Sequence, residues 1–535
     1  MATSTSSPSE DHKISIDNGP QDVEKRGSVS VVSHQHDFSK GHDKALDALG
    51  DDVVEMTDEQ SRLVCRKIDK AILPILMWVY FLQILDKSCV GYGAAFGMKE
   101  QANLQGSQYS TISSAGYWAQ LALCCGPTAF LIVKVRTNLL LGACILFWGT
   151  AMLGLAFSKN FGALLANRFL LGLFEAVAIP LFTVITATWY RRREQPLRIA
   201  CWYGTNGVAS MLGSLLAYGL SFIDSPHLYV YQILFLTVGL ATVLTAPLLY
   251  WRLDNSPAEA RFLTAEEKRW AIERLRDNQT GVETKTIKWN QVWETFYAPP
   301  MIFYALVTFC VNTGASVTNT FGPLIIRGFG FNSRQTMLLN IPFGFVQSCV
   351  CFAGCIMAAR LGYKGFILMA FMIPCIFGSA MLFGLGERLN GVRIFSYYCI
   401  AFLFGCNPLI FSWLAANTGG HTKKSLSISL CNAASAVGNM VGPYMFTNGA
   451  PLYHAGLGGC LGIFSACFAL CGALVLVLTA MNKRKEKQRV ANGKPAKIAN
   501  ASMEKEYRRT TDGVLGQQAF DDLTDMQNDE FVYGI

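Results

Sequence analysis

The chain has 535 residues, of which 51% are hydrophobic and only 15% are charged. Soluble domains carry about 25% charged residues, so a chain of this length lacks the charge needed to cover several separate soluble surfaces. The mean hydropathy of +0.30 agrees with that shortage. The composition therefore excludes a string of soluble domains and indicates one membrane-embedded body with polar ends.

The predicted elements run from a polar tail into a long series of apolar segments. Residues 1–66 are rich in Ser, Asp, Lys and His, and we expect a disordered cytoplasmic tail without a cleavable signal peptide. From about residue 70, apolar runs of some 20 or more residues recur, which is the length a helix needs to cross a hydrocarbon core of ~30 Å. The predicted spans are 70–92, 108–133, 138–157, 161–188, 197–223, 228–251, 299–321, 335–358, 363–385, 392–416, 425–449 and 456–481.

Basic residues occur mainly in alternate loops between these spans. Clusters such as 62–70, 191–198 and 483–489 fall on one predicted side, and the loops on the other side hold few Lys or Arg residues. Cytoplasmic loops are enriched in these residues, so twelve spans with both termini in the cytoplasm explain the alternation. The net charge of +8 then reflects topology and contact with anionic lipid, and no nucleic-acid partner is expected.

The only long polar break in the apolar series lies between the sixth and seventh spans, at 252–298. Thr264 is followed three residues later by Glu267, which is the pattern of a capping box at the start of a helix. A short cytoplasmic helix over 263–279 is therefore predicted.

The two halves of the chain have similar features. The fourth and tenth spans are each interrupted by Gly and then Pro, at Gly172 and Pro180 and at Gly405 and Pro408, and the fifth and eleventh are rich in small residues. Two six-helix halves related as repeats are typical of the major facilitator fold, an all-α integral membrane protein with its substrate site between the halves. The predicted regions are the tail 1–66, the N-terminal six-helix bundle 67–251, the cytoplasmic loop 252–298, the C-terminal six-helix bundle 299–482 and the cytoplasmic tail 483–535.

Away from the span ends, the charged side chains inside the predicted spans belong to the first half, and each is a candidate functional residue because charge is costly in lipid. Arg168 and Glu175 lie seven residues apart, on one helix face but ~10.5 Å from each other, too far for an ideal ion pair. Desolvation favours a neutral carboxyl at mid-membrane, so Glu175 is a candidate proton carrier and Arg168 a candidate ligand for a substrate carboxylate. Alternatively, both are structural links to other helices. The neighbours Asp86 and Lys87 point about 100° apart, so at most one of them faces a cavity squarely.

The second half offers neutral polar and ring groups in its spans. Its candidates for substrate contact are Asn312, Asn319, Asn407, Trp413, Asn417 and Asn432. Asn between helices often forms only an inter-helix hydrogen bond, so we expect only part of this set to touch substrate.

Enzyme chemistry is not indicated. The seven His residues lie in tails or near span ends, where they cannot surround a metal, and no phosphate-binding loop or nucleophile elbow is present. No catalytic residue, metal or cofactor is expected.

Several long motifs resemble the fungal allantoate permease family of the major facilitator superfamily, over about 65–535. These are RKIDKAILPILMWVYFLQILDKSCVGYGAAFGMKE from 66, NLQGSQYSTISS from 103, NRFLLGLFEAVAIPLFTVITATWYRRREQPLRIACWYGTNG from 167, FSWLAANTGGHTKKS from 411, NAASAVGNMVGPYMF from 432 and FDDLTDMQNDEFVY from 520. The loop CCGPTAFLIVKVRTNLLLG lacks the G-x-x-x-D-R pattern common in the superfamily, as does that family.

The resemblance implies an anion:cation symporter, driven by the proton gradient, that takes up a small carboxylate such as allantoate, nicotinate or pantothenate. The Arg-x6-Glu spacing of the fourth span also resembles that of related organic-anion transporters of animals. This resemblance implies that Arg168 binds the anion and that Glu175 couples protons. We expect a monomer in the plasma membrane. The alternatives are a transporter of a secondary metabolite encoded in a fungal biosynthetic cluster and a non-transporting nutrient sensor.

Overall fold

The computed structural model describes residues 57–124, 127–191, 194–276, 288–384, 389–447, 450, 453–496 and 523–535. Within these ranges the regular secondary structure is helical. The α-helices are α1 (Asp58–Ala95), α2 (Met98–Gln101), α3 (Gln108–Cys124), α4 (Pro127–Lys134), α5 (Thr137–Phe157), α6 (Phe161–Glu175), α7 (Ala178–Trp189), α8 (Gln195–Leu220), α9 (Val230–Arg252), α10 (Ala265–Arg276), α11 (Trp289–Tyr297), α12 (Pro299–Gly328), α13 (Ser333–Leu361), α14 (Lys364–Gly384), α15 (Asn390–Ile400), α16 (Cys406–Asn417), α17 (His421–Tyr444) and α18 (His454–Ala491). Two 3₁₀ turns span Pro257–Glu259 and Ala401–Gly405.

Nine of the described helical segments are long and apolar enough to cross a membrane. They correspond to the first, third, fourth, sixth to tenth and twelfth predicted spans. The other three predicted spans are also helical, as α3 with α4, α8 and α17, but they are shorter or more polar. Their Ser, Asn and Gly residues suit helices that pack against other helices more than against lipid. The total of twelve spans and the orientation of the termini stay predictions.

The first helix begins earlier than predicted. Thr57 and Gln60 form a capping box, and α1 starts at Asp58. The prediction of a disordered tail is therefore wrong for 58–66, while 1–56 lies outside the described residues. The charged residues in these first turns made the segment read as a polar tail in the sequence. In the structure, Val64 is fully buried and Cys65 nearly so.

The predicted interruptions of the fourth and tenth spans are confirmed. In the fourth span, α6 ends at Glu175 and α7 begins at Ala178. In the tenth, the 3₁₀ turn Ala401–Gly405 separates α15 from α16. Because of the first break, Glu175 is the last residue of a half-helix. Helix breaks of this kind are found at transporter binding sites.

Small residues let the helices approach closely. A Cβ atom on Gly172 of α6 would lie 2.3 Å from the Cα of Gly116 on α3. Between the halves, a Cβ on Gly207 of α8 would lie 2.4 Å from the carbonyl oxygen of Gly344 on α13. The helices therefore meet backbone to backbone at these points.

Hydrogen bonds join the two halves where α1 and α12 end, which is the predicted extracellular end. The hydroxyl of Tyr109 donates to the carbonyl of Thr320 (2.8 Å), and Ser110 and Ser114 donate to the carbonyls of Pro443 (2.8 Å) and Met440 (2.9 Å). Deeper in the interface, the Asn340 amide donates to Ser214 (2.8 Å). This end of the bundle is closed.

At the opposite end, the described ion pairs join elements of the same half. Arg198 of α8 binds Asp69 of α1 at 2.8 Å, and Arg274 of α10 binds Glu194 at 2.7 Å. These two pairs fix α8 to α1 and the central helix α10 to the first half, and neither reaches the second half.

The predicted short helix of the central connection is confirmed as α10, which covers Ala265–Arg276 of the expected 263–279, and its cytoplasmic location stays a prediction. The amide of Thr264 donates to Glu267 at 3.1 Å, and the amide of Glu267 donates to the Thr264 hydroxyl at 3.3 Å, which is the predicted capping box. Lys67 of α1 pairs with Glu267 at 2.5 Å and holds the helix against the first half. Residues 277–279 lie outside the described residues.

Candidate functional site

Two of the predicted site residues form an ion pair inside the first half. The Nζ atom of Lys87 on α1 lies 2.6 Å from Oε1 of Glu175 on α6. Their side chains are 13% and 2% exposed, so the pair is almost wholly out of solvent. Burial strengthens the attraction between the charges and makes the loss of either partner costly.

Asp86 points to a different partner from its neighbour. It is fully buried, and its Oδ2 accepts a hydrogen bond from the indole Nε1 of Trp148 on α5. The divergence of Asp86 and Lys87 follows from the 100° turn between adjacent helical residues. Lys87 joins Glu175, and Asp86 links α1 to α5.

Arg168 is the cation of this region whose charge is least compensated. It is 4% exposed, and its Nε and Nη1 atoms have no hydrogen-bond partner among the described residues. A Cβ atom on Gly116 would lie 3.8 Å from its Nε, so the absence of a side chain on α3 leaves room beside the guanidinium. A buried guanidinium with free donors is suited to bind an anion, since a carboxylate accepts two parallel hydrogen bonds from it.

Two residues that sequence analysis missed belong to the same region. Tyr117 of α3 is buried and directly follows Gly116, where a Cβ atom would lie 3.8 Å from Nε of Arg168. Gln83 lies one turn before Lys87, is fully buried, and its two amide atoms have no partner among the described residues. A polar residue in the middle of an apolar span was the available signal for Gln83. Tyr117 had no comparable signal, because aromatic residues are common in spans.

In the second half, two of the predicted asparagines meet. The Asn312 amide of α12 donates to Oδ1 of Asn407 on α16 at 3.1 Å, and the Asn407 amide donates back at 3.3 Å. Asn439 of α17 joins them by donating to Oδ1 of Asn312 at 3.4 Å. This asparagine cluster is buried and presents neutral donors and acceptors.

Other polar groups link the two halves beside these sites. The Gln347 amide of α13 donates to Oδ1 of Asn206 on α8 at 2.5 Å, and Ser210 donates to Gln347 at 3.1 Å. These bonds cross the interface in which a transporter of this fold holds its substrate.

Four predicted residues lie elsewhere. The Trp413 indole donates to the carbonyl of Gly534 (2.8 Å), and Asn417 bonds both the carbonyl (2.8 Å) and the amide (2.7 Å) of the same residue. Trp413 and Asn417 therefore hold the segment 523–535 against α16. Asn319 and Asn432 are partly buried, and their amides do not join the asparagine cluster in the described hydrogen bonds.

Comparison with known proteins assigns the family. Residues 76–443 match the family model of the Major Facilitator Superfamily. The chain belongs to that superfamily. It is 28% identical to the allantoate permease of Saccharomyces cerevisiae over 90% of this chain and 88% of the permease. It is 30% identical to the thiamine pathway transporter THI73 of the same yeast over 92% of this chain and 91% of that protein.

A solved structure of a D-xylose–proton symporter has the same fold. The TM-score is 0.57 at 13% sequence identity, and the match covers 76% of this chain and 96% of the symporter. The expected likeness to allantoate permease and the expected all-α major facilitator fold are thus confirmed. The protein is a multi-pass membrane transporter of a small molecule, not an enzyme.

Proposed function

We propose that this transporter is a symporter that takes up a small organic anion together with protons, by alternating access. In this proposal it acts as a monomer in the plasma membrane, with the proton gradient as its driving force and no other cofactor. The observation that carries the proposal is Arg168, a buried guanidinium whose Nε and Nη1 have no described partner. An anion is the ligand that such a group lacks.

The Lys87–Glu175 pair supplies a means of coupling. A proton on Glu175 would remove the negative charge that holds Lys87 at 2.6 Å. The freed ammonium would then be able to attract the same anion as Arg168, since Lys87 lies beside Glu175, two turns along α6 from Arg168. Proton binding and anion binding would thereby favour each other.

The class of substrate is supported by the chemistry of the two halves. Arg168 provides charge, and the asparagine cluster provides neutral hydrogen bonds, so a carboxylate that also carries amide or hydroxyl groups suits both. The 28% identity to an allantoate permease supports the same class. Allantoate, nicotinate and pantothenate are therefore the first substrates to test.

The test is uptake of a panel of radiolabelled carboxylates into cells that express the protein, at several external pH values. Uptake of one or more of them should rise as the external pH falls. Glu175→Gln should abolish this pH dependence, and Arg168→Lys should weaken anion affinity without reducing the amount of protein in the membrane. Arg393→Lys is the matched control, because Arg393 is equally buried but lies 4.6 Å from the centre of the Phe329 ring, and only its Nε, not Nη1, is among the buried atoms without a described partner.

Several results would contradict the proposal. Wild-type affinity in Arg168→Lys would make Arg168 a structural residue. Unchanged pH-dependent accumulation in Glu175→Gln would remove the coupling role of the carboxylate. Ligand binding without uptake would indicate a sensor.

A further inference from the structure

Helix α11, which precedes α12, has an amphipathic pattern opposite to that of a water-soluble helix. Its aromatic residues point outward, with Trp289 67%, Trp293 65%, Phe296 54% and Tyr297 64% exposed. Its polar residues Gln291, Glu294 and Thr295 are buried. The spacings of three, four and seven residues place each set on one face of the helix.

The buried polar face is bound firmly to the protein. The Oε1 atom of Gln291 accepts hydrogen bonds from the amides of Thr422 (3.1 Å) and Lys423 (3.3 Å) at the start of α17. Glu294 pairs with the Nζ of Lys423 at 2.8 Å and accepts from the Thr524 hydroxyl at 2.9 Å. These contacts prevent the helix from rolling to hide its aromatic face.

Four adjacent rings that are each more than half exposed form an apolar patch of a kind that water-facing surfaces of monomeric proteins seldom carry. Covering such a patch removes apolar area from contact with water, which is favourable in proportion to that area. A ligand or surface that covers the rings is therefore strongly favoured.

The position of α11 identifies what covers it. The helix ends at Tyr297, and α12, a membrane-spanning candidate, begins at Pro299. The patch thus continues into residues of α12 that face outward, Ile302 and Leu306, which are 54% and 43% exposed. Trp and Tyr are the residues enriched where a span meets the lipid headgroups.

The end of α9 has the same character. Tyr250 and Trp251, in the last turns of this other span, are 56% and 65% exposed. Both α9 and α12 flank the central connection, so these aromatic residues and those of α11 are placed at the same membrane boundary by the predicted topology.

We propose that α11 lies in the headgroup region of the lipid bilayer, with the side chains of Trp289, Trp293, Phe296 and Tyr297 inserted among phospholipids. The helix then joins two partners, lipid on its aromatic face and the start of α17 on its polar face. It anchors the second half of the transporter to the membrane boundary. The assignment rests on the family and the exposed rings, not on the proposed substrate or on proton coupling.

The test uses the full-length protein in vesicles of phosphatidylcholine and phosphatidylglycerol. The photoreactive residue p-benzoylphenylalanine is placed at Trp293, at Ile302 as a position facing the hydrocarbon, or at Glu266, an exposed residue of α10, as a position facing water. After irradiation, intact-protein mass spectrometry measures the fraction of each variant that has gained the mass of a phospholipid.

The yield of lipid adduct at Trp293 should match that at Ile302 and exceed that at Glu266 by about tenfold, because the ring lies among lipids. A yield at Trp293 equal to that at Glu266 would overturn the proposal. So would cross-linking of Trp293 to protein in place of lipid, which would identify the patch as a protein interface. Since each substituted residue is at least half exposed or on a surface helix, the variants are expected to fold.

Discussion

Lys87 and Glu175 form an ion pair of 2.6 Å between the first and fourth predicted spans, and both side chains are largely out of solvent. Removal of one charge leaves the other buried and uncompensated, so we expect Lys87→Met to lower the free energy of unfolding by about 3–5 kcal/mol. The measurement is thermal unfolding in detergent, followed with a thiol-reactive dye that labels the buried cysteines as they become exposed.

The double variant Lys87→Met with Glu175→Gln is the control for this pair. It contains neither charge, so it should recover most of the lost stability. If the losses of the single variants simply add in the double variant, the two side chains do not interact as the geometry indicates.

Gly172 should not tolerate even one methyl group. A Cβ atom there would lie 2.3 Å from both the Cα and the carbonyl oxygen of Gly116, and backbone atoms cannot move aside as a flexible side chain can. We expect Gly172→Ala to destabilise the protein by about 1–3 kcal/mol or to reduce its yield in the membrane.

The matched control is Gly219→Ala, since a Cβ at Gly219 meets no atom within 4 Å. This variant should unfold at the wild-type temperature or slightly above it. Equal effects of the two substitutions would show that α3 and α6 separate more readily than the structure indicates.

Lys423 neutralises two buried carboxylates at once. Its Nζ lies 2.8 Å from Glu294 and 2.7 Å from Asp525, and all three side chains are at most 6% exposed. Lys423→Met should therefore cost about 3–5 kcal/mol of stability. Lys67→Met, which removes a lysine that is 44% exposed, should cost at most about 1 kcal/mol. Similar unfolding temperatures for the two variants would contradict the burial of the Lys423 group.

The attachment of α10 to α1 should depend on pH. A hydrogen bond from Lys67, aided by the Thr264 amide, holds the pKa of Glu267 below its ordinary value of 4.5. A lowered carboxyl pKa stabilises the folded helix above the ordinary value, and the contribution is lost as the pH falls through the folded-state pKa.

Hydrogen–deuterium exchange of α10, corrected for the intrinsic rate, measures this effect. At neutral pH, Glu267→Gln should exchange about two- to fivefold faster than wild type, because a pair with one exposed partner contributes at most about 1 kcal/mol. The difference should disappear well below pH 4.5. A difference that persists in acid would mean that the charge on Glu267 is not what holds the helix.

Local features and the overall fold of this protein could be predicted from sequence, whereas individual contacts between distant residues could not. The capping box at Thr264 and Glu267 depends on residues three positions apart, and it formed as predicted. The separation of Arg168 and Glu175 along one helix follows equally from helical geometry. The contact between Glu175 and Lys87 depends on how α1 packs against α6 and at which height. A single sequence does not specify that packing.

Trp413 and Asn417 illustrate the same limit. A polar or amphipathic group in a span predicts a buried partner, but not whether the partner is a substrate or another part of the chain. Here the partner is Gly534, more than 100 residues away along the chain. Asn312 and Asn407, with the same sequence signal, instead bond each other.

The closure at the predicted extracellular end consists mostly of side-chain donors bonded to backbone carbonyls, in both directions, since Ser333 and Arg327 of the second half donate to the carbonyl of Ala95 (2.6 and 3.2 Å). Tyr109, Ser110 and Ser114 contribute hydroxyl groups, and their acceptors on the second half are backbone carbonyls. Every amino acid supplies a carbonyl, so substitutions at the acceptor positions leave the bonds possible, whereas loss of a hydroxyl removes one. Each bond contributes about 1 kcal/mol, and water can replace either partner when the halves part. In the proposed alternating-access cycle, opening of this end would therefore require the loss of several weak hydrogen bonds and not of one strong contact.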